Sequence, residues 1–143
     1  MIIRLVNTHG PKMRSGDFYG RVMDRFIQQA IKGEPLTVYG NGKQTSSFTY
    51  VEDCVRAMVL LMFKGVSGCI YNIGSDKESE IIEVATMIRD LKNSPSKIEY
   101  RDLPHNDPKR RSGDISKIRK MDWKPSIDLQ DGILLTVEYY VRR

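Results

Sequence analysis

The sequence predicts a mixed α/β fold, because short apolar runs with strand propensity alternate with longer runs of helical periodicity. Ile2 to Val6 is interrupted only by Arg4, and we interpret it as a buried strand. Cys69 to Ile73 is a second short strand, and the two segments are expected to belong to one parallel sheet. The helical runs lie between and after these strands, which is the pattern of an α/β protein.

Three predicted helices each carry one apolar face. Gly33 is the C-cap of the first, and Pro35 prevents its continuation. Ser79 is expected to cap the second, and Asp114 to cap a further short helix that ends near Met121. The apolar faces consist of Val22, Met23, Phe26, Ile27, Ala30 and Ile31, of Ile81, Val84, Ala85, Ile88 and Leu91, and of Leu129, Ile133, Val137 and Tyr140.

The stretch from Leu36 to Asp53 is the most sharply specified part of the chain. Leu36 to Tyr39 has strand propensity, and Gly40-Asn41-Gly42 supplies residues that accept positive φ. Ser47 to Val51 is extended again, and Thr49-x-x-Glu52 has the spacing of a capping box. We therefore expect a strand, a tight turn, a second strand and a helix start in this order.

The remaining segments complete the predicted order of elements. Val55 to Phe63 is apolar nearly all round, so we expect this helix to be buried between other elements. Lys97 to Leu103 is predicted to be a strand and Pro104 to Gly113 a polar loop. Cys54 and Cys69 are expected to be reduced thiols, with a disulfide as the alternative.

Composition indicates one soluble domain. A chain of 143 residues with 40% hydrophobic content is large enough to bury roughly 68–70% of its unfolded surface. No apolar run approaches the ~20 residues of a membrane span, and Met1 to Val6 is too short for a signal peptide, so we expect a cytoplasmic protein.

The net charge of +5 is concentrated between Lys97 and Lys124. A basic segment attracts phosphate groups, on a nucleotide sugar or on nucleic acid. Alternatively, it is simply a solvated face. A nucleic-acid-binding module is disfavoured, because only Tyr100 and Trp123 supply aromatic rings within this segment.

Six short motifs follow one another along the chain. They are Asn7-Thr-x-Gly-Pro11, Gly20-Arg-Val22, Glu34-Pro-Leu-Thr-Val-Tyr-Gly40 with Gly42-x-Gln-Thr45, Phe48-x-Tyr-Val-x-Asp53, Asp107-Pro-x-x-Arg111 and Trp123-x-Pro125. This order resembles the C-terminal part of the extended short-chain dehydrogenase/reductases of the NAD-dependent epimerase/dehydratase family, which act on nucleotide sugars. Within that family the chain is most similar to the UDP-glucuronate decarboxylases, or UDP-xylose synthases.

The resemblance implies a fold of the last strands of a Rossmann-like parallel sheet plus a small mixed α/β substrate-binding lobe. Residues 1–143 would form a single C-terminal substrate-binding domain without the N-terminal NAD-binding half. In the complete enzyme, NAD would oxidise the sugar at C4, the C5 carboxylate would leave as carbon dioxide, and the 4-keto intermediate would be reduced. This chain would supply nucleotide and diphosphate contacts.

The same resemblance implies a UDP-sugar site. Arg111 stands where these enzymes place an arginine on the substrate diphosphate, which it could contact through two hydrogen bonds. The implied substrate-binding residues are Asn7, Arg21, Leu36, Val38, Tyr39, Lys43, Gln44 and Arg111, and the implied cofactor-binding residues are Thr8 and Arg21. Two alternatives stay open: Tyr39 could only pack across strands, and Asn7 could satisfy its own loop backbone.

Three positions depart from the family pattern. Ser46 stands where the family has a second diphosphate-binding arginine, and the loss of one charge-assisted bond is worth roughly 1.5–3 kcal/mol unless Lys43 compensates. His9 replaces the usual tyrosine, and Asp122 replaces a glycine at a position that is expected to need positive φ. These changes put tight substrate binding in question, but not the fold.

The chain lacks the parts that the hydride chemistry needs. Neither Gly-x-x-Gly-x-x-Gly nor Gly-x-Gly-x-x-Gly occurs, so we expect NAD only in the complete enzyme and not bound tightly by this chain. The one Tyr-x-x-x-Lys match, Tyr39 to Lys43, contains two turn glycines and cannot present a helical pair. His9 and His105 alone support neither a metal site nor a catalytic triad.

The sequence is therefore interpreted as a UDP-sugar-binding domain that is inactive alone and that carries no catalytic residue. The alternatives are the substrate domain of another nucleotide-sugar epimerase or dehydratase, and a non-catalytic regulatory or interaction subunit. Apolar strands left at a sheet edge favour pairing with another chain, so a homo-oligomer or a separate Rossmann half is expected as partner.

Overall fold

The computed structural model describes residues 1–13, 22–103, 105 and 108–142. Its strands are β1 (Ile2–Leu5), β2 (Thr8–His9), β3 (Leu36–Tyr39), β4 (Thr45–Ser47), β5 (Thr49–Tyr50), β6 (Ile70–Ile73), β7 (Glu78–Glu80), β8 (Ile98–Arg101) and β9 (Arg110–Arg111). Its helices are α1 (Val22–Lys32), α2 (Val51–Lys64), α3 (Ile81–Lys92), α4 (Ser116–Arg119) and α5 (Leu129–Val141). The predicted mixed α/β fold is confirmed.

Three two-stranded parallel sheets connect distant parts of the chain. β1 pairs with β6, with Ile2 opposite Ile70, and both α1 and α2 lie between these strands in sequence. The prediction that both apolar segments are strands of a parallel sheet is confirmed, and each strand finds a partner in the other. β2 pairs with β5, and β3 pairs with β8. The two strands on either side of the Gly40–Gly42 turn therefore join different sheets.

The fourth sheet has three strands in the order β7, β4, β9. β4 is its central strand, antiparallel to β7 and parallel to β9. The sequence predicted only a polar loop where β9 lies. That prediction was incomplete, because a two-residue strand of arginines has no periodicity and depends on a partner that is distant in sequence.

The described residues form two separate hydrophobic cores. The first is formed by α1, β3, α3 and α5, with Phe26, Leu36 and Ile88 fully buried at its centre. The second lies between α2, β6 and α4 and contains Leu61, Ile73 and Trp123. This separation fits a sheet segment and an adjoining lobe, because each core draws on its own set of elements.

Two predictions about burial were wrong. The helix over Val55 to Phe63 is not buried all round: it packs through Cys54, Ala57 and Leu61, while Phe63 is 82% exposed. β1 forms as predicted, but Ile2 and Leu5 are exposed. In both cases the sequence shows only that the side chains are apolar and could be buried. The described residues do not cover them.

Two predicted caps were also wrong. α2 begins after Tyr50 without a side-chain cap, and Thr49 lies in β5 with its hydroxyl buried. α3 begins after Glu80, whose side chain forms a reciprocal capping box with Glu83, so Ser79 is one residue too early. Asp114 does accept the backbone N–H of Ser116 at 2.8 Å, and this bond lowers the pKa of its carboxyl group.

Other local predictions are confirmed. Gly33 follows α1 at φ +70°, and Asp122 has φ +60°, in the left-handed region that favours glycine. Cys54 and Cys69 are both free thiols. Within the described ranges, every helix falls short of the length and apolarity needed to cross a membrane.

Candidate anion-binding site

The candidate site is the face of the β7–β4–β9 sheet that carries Ser46 and Arg111. These two residues are direct partners in the parallel register, and Ser79 lies opposite Ser46 on the other side. Side chains of register partners point to the same face of a sheet, so all three share one face. The two positions at which the resemblance expects diphosphate ligands therefore lie side by side. One carries an exposed guanidinium group and the other a buried hydroxyl group.

Arg110 points to the opposite face. Its Nε donates to Glu78 Oε1 at 2.8 Å, and Thr45 Oγ1 donates to Glu78 Oε2 at 2.7 Å. The hydrogen bond from Arg110 has the largest effect on the pKa of Glu78, and the one from Thr45 the next largest. Together they lower this pKa to about 2, so the carboxylate stays charged at neutral pH. The two adjacent arginines of β9 thus point to opposite faces of the sheet. Arg110 bonds Glu78 on one face, and Arg111 lies on the candidate face.

A cleft of about 530 Å³ opens on this far face between residues 75–78 and 110–119. Both of its arginines are paired with acids, since Arg119 Nη2 lies 2.6 Å from Asp76 Oδ2 and Arg110 bonds Glu78. Asp114 adds another carboxylate to the lining. The charges of the cleft are therefore mixed, which does not favour a diphosphate there.

Asn7 connects the β1–β6 sheet to this site. Its Nδ2 donates to the carbonyl oxygen of Ser47 at 2.9 Å and to that of Arg111 at 3.4 Å. Its backbone adopts φ +40°, which turns the chain directly after β1. The alternative that Asn7 satisfies only its own loop was incorrect, because both acceptors belong to other strands. The two contacts place Asn7 beside Arg111, as the predicted site requires.

The turn from Gly40 to Gln44 lies against the start of α3. The carbonyl groups of Gly42 and Gln44 accept the N–H groups of Ile82 and Ile81, which would otherwise lack partners at the helix N-terminus. A Cβ atom on Gly42 would lie 2.9 Å from both Val38 and Ile82, and its φ is +72°. Only glycine fits there. Gln44 Nε2 donates to the Tyr39 carbonyl oxygen at 3.0 Å and closes the turn.

Tyr39 ends β3 and is half-buried. The guanidinium carbon of Arg25 lies 5.0 Å from the centre of its ring, a cation–π distance, and burial lowers the pKa of Arg25. One face of the ring is therefore in contact with protein. Tyr39 also ends a strand, so the Tyr39–Lys43 pair does not lie on a helix.

The other predicted site residues are placed differently. Leu36 and Val38 are fully buried in the first core, which leaves only their backbone to meet a ligand, and that backbone belongs to the β3–β8 pair. Lys43 is exposed, and its backbone N–H is held by Asn41 Oδ1 at 3.0 Å. Arg21 lies outside the described residues.

Thr8 and His9, in β2, are both in contact with neighbouring elements. Thr8 Oγ1, which the resemblance assigned to the cofactor, lies 3.3 Å from Cys54 Sγ in a hydrogen bond. The neighbouring His9 is buried at the contact with α5, where a Cβ atom on Gly132 would lie 2.7 Å from its Cε1. This packing leaves no room for a ligand between His9 and Gly132.

Sequence reasoning missed two residues that shape this region. Glu78 joins β7 to both β4 and β9, and Asp53 is a fully buried carboxylate that holds residues 126–127. Asp53 was part of a recognised motif, and its position beside Cys54 on the buried face of α2 was a usable signal. Glu78 had no such signal, because its partner Arg110 is 32 residues away in sequence.

Comparison with known proteins gives a consistent result. The sequence profile described as the NAD dependent epimerase/dehydratase family matches residues 1–74. The UDP-glucuronic acid decarboxylase 1 of Xenopus tropicalis is 40% identical over 140 residues, which is 97% of this chain and 32% of that protein. The UDP-N-acetyl-alpha-D-glucosaminuronate decarboxylase of Bacillus cytotoxicus is 38% identical over 97% of this chain and 45% of that protein. The chain thus spans about a third to a half of these curated relatives.

Solved structures agree on the fold. An epimerase from Methanothermobacter thermautotrophicus superposes with a TM-score of 0.92 at 29% identity, covering 98% of this chain and 42% of that one. The UDP-glucuronic acid 4-epimerase of Bacillus cereus, in complex with UDP-glucuronic acid and NAD, gives a TM-score of 0.88 at 28% identity over 99% of this chain and 45% of that one. Both likenesses extend over nearly the whole chain.

Proposed function

Because this chain belongs to the NAD dependent epimerase/dehydratase family, we propose that it supplies the nucleotide- and diphosphate-binding part of a UDP-sugar enzyme. The observation that carries this proposal is the register of Ser46 and Arg111 on one face of the sheet, with Asn7 beside them. An exposed arginine on a fixed strand can offer two parallel N–H donors to phosphate oxygens.

Among UDP-sugar enzymes we favour the decarboxylase type over the epimerase type. The two curated relatives named above are decarboxylases at 38–40% identity, whereas the two solved structures named above are epimerases at 28–29% identity. The chain would bind and orient the nucleotide, and NAD chemistry would belong to the rest of such an enzyme. In our proposal the chain alone, as a single substrate-binding domain, neither binds NAD tightly nor releases carbon dioxide from UDP-glucuronate.

We also infer that the exposed apolar residues of β1 and α2 meet a partner. Ile2, Leu5, Val59, Met62 and Phe63 are all exposed in the described structure. Single exposed apolar side chains are normal on a protein surface, but several of them on one strand and one helix indicate an interaction site. The partner is a second copy of this chain or a Rossmann half, and no membrane or nucleic acid is needed to explain it.

The test of the proposed function is a titration of the purified chain with UDP, followed by calorimetry or by amide chemical shifts. We expect weak binding, about −5 to −6 kcal/mol, because much of a complete nucleotide pocket is outside this chain. Arg111→Ala should abolish the binding. The matched control is Arg101→Ala, which removes an exposed arginine from β8 in a different sheet. Equal UDP affinity for wild type and Arg111→Ala would show that Arg111 does not bind the diphosphate.

A further inference from the structure

β9 is held in place by more than its backbone. It has two residues, both exposed, within a polar segment, and it lies at the edge of its sheet. So short an edge strand has little intrinsic stability. Yet Arg111 can meet a ligand beside Ser46 only while β9 stays in register with β4. What fixes β9 therefore decides where the Arg111 guanidinium group lies.

The first contact comes from Glu78. Its two carboxylate oxygens have different partners: Oε1 accepts from Arg110 on β9, and Oε2 accepts from Thr45 on β4. The carboxylate thus joins the two strands on the face opposite Arg111. Because side chains alternate along a strand, fixing Arg110 on one face fixes Arg111 on the other. These two hydrogen bonds lower the pKa of Glu78 to about 2, so its carboxylate is charged at neutral pH.

The second contact comes from Asn7. Its side-chain amide donates to the carbonyl oxygens of Ser47 on β4 and Arg111 on β9, so it also bridges these two strands. Asn7 lies directly after β1, which is paired with β6. β9 is therefore connected both to its own sheet and to the β1–β6 sheet.

We propose that Glu78 is a positioning residue that holds Arg111 on the anion-binding face by fixing Arg110 on the opposite face, with Asn7 as a second bridge between β4 and β9. The expected effect on UDP binding rests on the proposed function. The bridge that Glu78 forms between β4 and β9 does not depend on that function. Glu78 touches no ligand in this scheme, and its effect passes through the register of β9.

The experiment compares wild type, Glu78→Gln, Arg110→Glu and the reciprocal double variant Glu78→Arg/Arg110→Glu. Glu78→Gln keeps an acceptor for Thr45 but loses the charge that binds Arg110. The control is Glu99→Gln, which removes the exposed Arg101–Glu99 pair on β8, where the closest N–O distance is 3.4 Å. Amide hydrogen exchange of residues 108–113 and 44–48, the melting temperature and the UDP affinity are measured for each variant.

We expect Glu78→Gln to speed amide exchange in both segments by about fivefold, as for the loss of one partly exposed ion pair. UDP affinity should fall by a similar factor, while the melting temperature hardly changes. A general loss of stability would instead lower the melting temperature and speed exchange throughout the chain. The double variant should restore both exchange and affinity, and Glu99→Gln should change neither.

Two results would overturn the proposal. One is unchanged exchange at β9 in Glu78→Gln, and the other is a loss of UDP affinity that the double variant fails to restore although exchange recovers. If wild type binds no UDP, the proposed function fails, but the exchange data still decide whether Glu78 holds β9.

Discussion

Ser46 and Arg111 are direct neighbours across β4 and β9 and share one face of the sheet. Ser46 is buried at 5% exposure, whereas Arg111 is exposed. The family pattern that the sequence resembles has an arginine at both positions, and in this register two such arginines would lie side by side. The substitution at Ser46 therefore removes half of that pair without altering the backbone that presents it.

Ser46→Arg should strengthen UDP binding by about tenfold or more, because it adds a charge-assisted hydrogen bond worth roughly 1.5–3 kcal/mol. Without ligand, the same change should cost about 1 kcal/mol of unfolding free energy, since it inserts a charge at a buried position beside Arg111. Calorimetry and denaturant unfolding measure the two effects. Ser67→Arg, which adds an equal charge in an exposed turn, is the control. Equal gains in affinity for both variants would indicate a general charge effect.

Asp53 should be a major contributor to stability. Its carboxylate accepts the N–H groups of Ser126 and Ile127 at 3.0 Å each and pairs with Arg56 at 2.8 Å. Asp53→Ala removes the acceptor of both N–H groups and the partner of Arg56 from a fully buried position, so we expect a loss of about 2–4 kcal/mol in unfolding free energy. Asp53→Asn should lose less, because one oxygen remains as an acceptor.

The control for Asp53 is Asp128→Ala. It removes an exposed ion pair with Lys77, in which the side chains are 73% and 81% exposed, and should change the free energy by less than about 1 kcal/mol. Chemical denaturation measures all three variants. Similar losses for Asp53→Ala and Asp128→Ala would contradict the importance of the buried contacts.

Stability should depend on pH through His9. Burial lowers the pKa of His9 from 6.5 to about 4, with the Tyr50 ring 5.6 Å away and Gly132 against its edge. The unfolded chain binds a proton near pH 6.5 and the folded chain only near pH 4, so stability falls as the pH drops between these values. The loss is about 3 kcal/mol by pH 4.

His9→Leu has a similar volume and cannot be protonated. It should therefore remove the slope of unfolding free energy between pH 6.5 and pH 4, while stability at pH 7 changes little. Urea unfolding at a series of pH values provides the measurement. A slope that persists unchanged in His9→Leu would assign the pH dependence to other groups.

Self-association should depend on the exposed residues of β1 and α2. Leu5 is the better probe on β1, since the neighbouring Ile3 packs against the second core and a lysine there would damage folding. We expect Leu5→Lys or Phe63→Lys to lower the average mass measured by light scattering at high concentration, with little change in unfolding free energy. Tyr100→Lys, an exposed aromatic on β8, is the control. A strictly monomeric wild type would exclude a second copy as the partner.

Elements with local stability were predictable from the residue pattern. Apolar residues at helical spacing placed α1, α3 and α5, because the face of a helix is set by residues three and four positions apart. Gly42 was identified as a turn residue from the local Gly-Asn-Gly pattern, and the structure adds that Val38 and Ile82 leave no space for a side chain. The motif order also identified the family and placed Arg111 in its candidate role.

The contacts between distant segments could not be predicted from the residue pattern. β9 exists because a two-residue segment pairs with β4 some 65 positions away, and Asp53 holds Ser126 across 73 positions. No local pattern encodes such contacts, since the hydrogen bonds that reward them form only after the chain has folded around both partners. The same reason explains the error on α2. Apolar residues on a helix indicate that its surface can be buried. Whether it is buried depends on which elements lie against it in space.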